Sequence, residues 1–181
     1  MLPLPITTPR LRIDRLTPAD APALAAYRSA PEVARYQSWD APYPLVQAEA
    51  FVAADARDVA GAPGTFVNLA TRLDGELVGD VYVSVPSVAG APAEVGVTLA
   101  PAHQGRGIAT EAVGAVVHSL FRAAMVTNVQ AFIDVRNAPS LALFERLGFR
   151  RAEVHRVEAD GADEVRVVTS VAEWPQEELV R

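Results

Sequence analysis

Gln104-Gly-Arg-Gly-Ile-Ala-Thr110 brings two glycines, an arginine and a helix start into one short stretch. Gly105 and Gly107 can take a backbone with φ above zero and let a ligand approach closely. A helix opening near Ile108 turns its unpaired N–H groups and the positive end of its dipole toward the same point. The chemistry on offer is anion binding by the backbone of Gly105, Arg106, Gly107, Ile108, Ala109 and Thr110. Two other phosphate-binding motifs fit this stretch poorly. A P-loop carries lysine after its second glycine, and this chain has no lysine, all 16 basic residues being arginine. A dinucleotide fold places Gly-x-Gly-x-x-Gly in a chain-opening βαβ unit, whereas Gly105-x-Gly107-x-x-Thr110 lies past mid-chain.

Downstream, residues 129–135 read as a strand, Asn137-Ala-Pro-Ser140 can cap and open a helix, and Gly148 in Leu147-Gly-Phe149 can close it. Gln104-x-x-Gly107-x-Ala109, followed by helix, strand, asparagine loop, helix and Leu147-Gly-Phe149, resembles the GNAT acyltransferase superfamily over residues 93–151. Thr8-Pro-Arg-Leu-Arg-Ile13, Leu16-Thr-Pro-Ala-Asp20 and Pro31-Glu-Val-Ala-Arg-Tyr36 extend the resemblance. They are similar to the branch that acetylates ribosomal-protein N-terminal amines.

The resemblance implies acetyl-CoA as co-substrate and no metal. The pyrophosphate would take the turn's N–H groups. The pantetheine arm would lie along Val97, Thr98 and Leu99 on a splayed strand and meet Asn137. An amine would attack the thioester directly, with backbone N–H groups holding the developing oxyanion. Many family members carry a tyrosine seven residues after the asparagine, and Phe144 stands there, in contact with the cofactor arm. A common carboxylate five residues before the asparagine is replaced by Phe132. Ser140, three residues after it, matches the ribosomal-protein branch and is the candidate proton donor to the leaving thiolate; the same serine can instead bond backbone in a first helical turn. Glu94, Asp134 and Glu158 are candidate bases, none secured by spacing. The need for a base is smaller for an α-amine, about 15 per cent neutral at pH 7, than for a lysine side chain, neutral in under about 0.1 per cent of molecules.

On the acceptor side, Tyr36, Trp39 and Tyr43 follow where the branch builds its cleft; they can shape it, stack on a cation, or cover core. His103, His118 and His155 are not spaced as a metal site or a catalytic triad. The leading function is acetyl transfer to a protein N-terminal amine. Acetylation of a small amine such as an aminoglycoside, polyamine or amino-acid derivative is the alternative, and a non-catalytic acyl-CoA-binding module is a third.

The elements that must position these residues form an α/β (α+β) pattern in one domain over residues 1–181: about seven strands in a mostly antiparallel sheet, flanked by about four helices. Residues 10–16 alternate as a strand, and Thr17-Pro18 with Asp20 opens a helix. A second helix covers residues 45–57. Asp74-Gly75 joins two strands as a hairpin. Residues 93–99 lead into the turn, and the helix over 110–124 puts Val113, Val116, Val117, Leu120 and Phe121 on one face. A late hairpin turns at Asp160-Gly161, and Trp174-Pro175 begins a short tail.

The chain is 50% apolar and has no apolar run long enough to span a membrane. It has no cysteine, hence no disulfide or thiolate nucleophile. The opening Met1-Leu-Pro-Leu-Pro-Ile6 lacks the basic region of a signal peptide, so a cytoplasmic protein is expected, and the resemblance leaves monomer or homodimer open. The formal net charge is −6, yet residues 100–151 carry six arginines against three acids. That places phosphates in the basic half, suits a cationic amine elsewhere, and argues against a nucleic-acid partner.

Overall fold

The computed structural model describes residues 1–156 and 163–175. Among these, eight strands form one sheet in the order β1-β2-β3-β4-β5-β6-β8-β7. They are β1 (Ile6–Thr7), β2 (Leu11–Arg15), β3 (Thr65–Leu73), β4 (Glu76–Val85), β5 (Ala93–Leu99), β6 (Asn128–Asp134), β7 (Arg150–Arg156) and β8 (Asp163–Ser170). Five α-helices accompany them: α1 (Ala21–Arg28), α2 (Pro31–Ala34), α3 (Leu45–Asp55), α4 (Ile108–Arg122) and α5 (Ala138–Arg146).

The β3–β4 hairpin turns where Asp74 and Gly75 take φ of 52° and 88°, the left-handed pair that a two-residue turn demands. The chain reverses at β4 and β5 as a meander, then α4 carries it across to β6, which lies parallel to β5. That parallel pair is short. Only Ala93↔Val129 and Glu94↔Gln130 are in register, so beyond them β5 and β6 diverge. Backbone N–H and C=O groups of residues 95–98 that would have met β6 are left facing a gap.

Helices cover both sheet faces. Val113, Val116, Val117 and Leu120 of α4 are fully buried against Val67, Leu69, Val81 and Val83. On the other face, Leu24 and Tyr27 of α1 and Ala48 and Val52 of α3 close over Ala70. The alternation of β3 explains both layers: Val67 and Leu69 point one way, Asn68 and Ala70 the other.

The differences from the sequence reading are short or non-local features. Strand β1 is two residues long among prolines, and α2 is a single turn; neither is long enough to show a period. The segment opening at Thr17 begins as a 3-10 turn, Pro18–Asp20, before α1. Trp174 is not in a tail. It is 3% exposed and sits edge-on to Phe121 and Phe149, at 5.8 and 6.1 Å between ring centres. Apolar surface elsewhere in the fold captures it, which no local pattern announces. The turn at Asp160-Gly161 lies outside the described residues, as does Glu158. No helix among the described residues is long and apolar enough to cross a membrane.

Candidate active site

Gly105 and Gly107 adopt φ of 69° and 74°, and Gly107 stands immediately before the first residue of α4. Side chains at these two positions would be strained in the left-handed region, which is the physical reason for glycine at both. The Gln104 amide donates to the Leu99 carbonyl at 3.0 Å, tying the turn to the end of β5. Helix α4 runs 15 residues behind the turn, so its unpaired first N–H groups and dipole converge there.

Where β5 and β6 diverge, a cleft of about 540 Å³ opens. Val97, Thr98, Leu99, Gln104, Gly105, Gly107, Ile108, Ala109, Thr110, Asn137, Ser140 and Phe144 all line it. Arg106 does not; it is exposed, with Nη1 3.4 Å from His103 Nδ1. Asn137 caps α5, its side-chain oxygen accepting from the Ser140 N–H at 3.3 Å. The cap uses the backbone of Ser140 and leaves the serine hydroxyl, half-buried, beside the cleft. Phe144 is 1% exposed, its ring 5.0 Å from that of Phe149, so it closes the cleft floor as part of the core.

A second cavity of about 900 Å³ adjoins the first, sharing Tyr36, Val97, Thr98, Phe132 and Asp134 as walls. Glu94, Trp39, Phe66, Tyr82 and Asp80 also line it, with Arg28, Arg35 and Arg136 among its charged walls. Glu94 is half-buried, and burial first, the Glu164 charge second, pushes its carboxyl above the usual range. Asp134 behaves oppositely. Hydrogen bonds from Arg136, including Nε to Oδ1 at 2.9 Å, hold it below that range, which makes it a poor base.

Tyr36 stands between the two cavities, and Trp39 lines only the second. Tyr43 lines neither; it is 4% exposed in the α1–α3 cluster. The cation that stacks here is the protein's own. The Arg28 guanidinium lies 4.3 Å from the Trp39 ring centre and 4.1 Å from that of Phe51, and pairs with Asp80 at 3.3 Å. Tyr27 also donates its O–H to Asp80.

Sequence reading missed Phe66, Tyr82, Asp80 and Arg28. The signal was present in β4, where Asp80, Tyr82 and Ser84 alternate with the buried Val81, Val83 and Val85. A polar, aromatic face on a strand covered on both sides marks a cavity. Among the described residues no cluster of three or more histidine or acidic side chains could hold a metal ion.

The model of the GNAT acetyltransferase domain covers residues 10–150. The chain belongs to the GNAT acetyltransferase family. This acetyltransferase is 28% identical to the uncharacterized N-acetyltransferase YoaA of Bacillus subtilis over 156 residues, 86% of this chain and 88% of that one. It superposes on a putative acetyltransferase from T. thermophilus with a TM-score of 0.80 at 28% identity, covering 99% of this chain and 96% of that one. RimJ of Mycobacterium smegmatis, solved with a CoA disulfide, superposes at TM-score 0.80 and 24% identity over 92% of this chain and 84% of that one, a likeness of fold.

Proposed function

We propose that this GNAT acetyltransferase uses acetyl-CoA to acetylate a protein N-terminal α-amine. The observation that carries the reading is the continuity of the two cavities, which join a phosphate-type turn to an acidic, aromatic pocket across unpaired β5 backbone. The N–H groups of Gly105, Gly107, Ile108, Ala109 and Thr110 suit a pyrophosphate. Asn137, its oxygen committed to the helix cap, offers its amide nitrogen to the pantetheine arm.

Glu94 takes the proton of the incoming ammonium, directly or through water. The neutral amine then forms the C–N bond at the thioester carbonyl, and as the C–S bond breaks the extra proton on the new amide nitrogen passes to water. Backbone N–H groups of the β5 segment around Val97–Leu99 hold the developing oxyanion, and Ser140 supplies a proton to the leaving thiolate, regaining one from solvent. A base of raised affinity for protons suits an α-amine, whose own pKa of about 7.8 needs little help. Structures similar in fold include RimL, the ribosomal L7/L12 α-N-protein acetyltransferase, which supports the N-terminal amine as acceptor. This reading goes with a cytoplasmic protein, since acetyl-CoA and nascent protein N-termini meet in the cytoplasm.

Acetylation of a small amine is the second reading, favoured by the aromatic walls Trp39, Phe66, Tyr82 and Phe132 of the acceptor pocket. Thiol release from acetyl-CoA against peptide N-termini, lysine peptides, polyamines and aminoglycosides separates the two. The chain has no cysteine, so a thiol reagent reads only the product. Turnover confined to peptide N-termini supports the first reading; turnover confined to a small amine replaces it with the second.

A further inference from the structure

We infer that Arg10, on the loop before β2, is a positioning residue that sets the peptide orientation of the phosphate turn. This rests on the turn being the coenzyme A cradle proposed above. Arg10 reaches α4 from 101 residues away in sequence: its Nε donates to Glu111 Oε2 at 2.6 Å, and its backbone N–H donates to Glu111 Oε1 at 3.2 Å. Its Nη2 lies 2.6 Å from Oε2, and Thr8 donates its hydroxyl to Oε1. The remaining nitrogen, Nη1, donates to the carbonyl of Arg106 at 3.0 Å.

That last bond decides geometry inside the turn. The Arg106 carbonyl and the Gly107 N–H belong to one planar trans peptide and point in opposite directions. Gly107 lines the cleft and Arg106 does not. Holding the carbonyl outside therefore turns the Gly107 N–H inward, toward a phosphate. A glycine at φ 74° leaves this peptide free to flip, which would aim a carbonyl oxygen at the anion instead. Arg10 is the restraint against the flip.

Direct phosphate contact is a poorer account of Arg10. All three of its side-chain nitrogens already have partners, and Glu111 offsets its charge. A lone exposed ion pair would be weak, and the Arg10 side chain is 46% exposed. Here Glu111, 15% exposed, gathers Thr8 and both the backbone and side chain of Arg10 into one network. Burial by itself would raise the Glu111 carboxyl; the bonds from Thr8 and Arg10 outweigh it and keep the group ionised.

Two variants test the assignment, R10A and R10Q, each followed by calorimetric CoA titration, amide hydrogen exchange and kcat at saturating acetyl-CoA. The expected result is a CoA Kd about tenfold weaker, the change for one lost charge-assisted hydrogen bond. Exchange should quicken at residues 105–108 while the rest of α4 and kcat stay near wild type. Unchanged Kd, unchanged exchange in the turn, or loss of fold in both variants overturns the assignment. Wild-type protein that fails to bind CoA overturns the cofactor reading itself, and exchange in the turn then still decides whether Arg10 restrains it.

Discussion

Replacing Gly79 with alanine adds one methyl group where β4 and β5 leave no room for it. Gly79 pairs with Leu99, and a Cβ built on it would stand 2.2 Å from the Thr98 carbonyl oxygen and 2.6 Å from Leu99 Cδ2. An ordinary contact is 3.4 Å or more, so the Thr98 backbone must retreat by about 1 Å. Such overpacking costs about 3 kcal/mol, which in a chain of this length lowers Tm by about 6–12 °C. Thr98 and Leu99 line the cleft, and Leu99 anchors Gln104, so the displacement also reaches the cofactor side. A misplacement of that size can cost up to about 10²-fold in kcat/KM. Differential scanning fluorimetry and steady-state kinetics with varied acetyl-CoA measure both. Gly96→Ala on the next strand is the control, because its Cβ would meet Tyr82 at an ordinary 3.6 Å. A G79A protein with wild-type Tm and acetyl-CoA KM, or a G96A protein equally unstable, refutes the reasoning.

Glu94→Gln should lower kcat/KM by about 10²-fold and flatten its acid limb. The native carboxyl binds its proton more tightly than the unfolded chain, so stability is lost as pH rises through 4.5 toward the raised native value. Denaturant melts should therefore show E94Q more stable than wild type at pH 7, with the advantage gone below pH 4.5. Ser140→Ala keeps the N–H that meets Asn137, so Tm should hold while kcat falls about 10²-fold with acetyl-CoA KM little changed; a wild-type kcat removes Ser140 as proton donor. Trp174→Ala should cost about 3–5 kcal/mol, read as a lower urea midpoint, since its ring is enclosed by Phe121 and Phe149; a midpoint within error of wild type would return Trp174 to a tail.

What the sequence determined by itself is what depends on neighbours along the chain. A left-handed turn requires glycine at 105 and 107, an N-terminal cap favours Asn137, and Asp74-Gly75 closes a hairpin, because each is settled within a few residues by backbone sterics and local hydrogen bonds. The apolar stripe of α4 was legible for the same reason: its period is carried by consecutive turns of one helix. The tertiary structure decided everything that requires two distant segments to meet. The divergence of β5 from β6 after Glu94 turns a strand into a cleft wall. Arg28 finds Trp39, Phe51 and Asp80 from a loop, α3 and β4, and Tyr43, eligible by sequence for the acceptor site, is instead buried under α1 and α3. Arg10 reaches Glu111 and the Arg106 carbonyl only once β2 lies beside α4. Such contacts depend on which surfaces the packed sheet leaves open, a property of the whole fold that no short stretch of residues encodes.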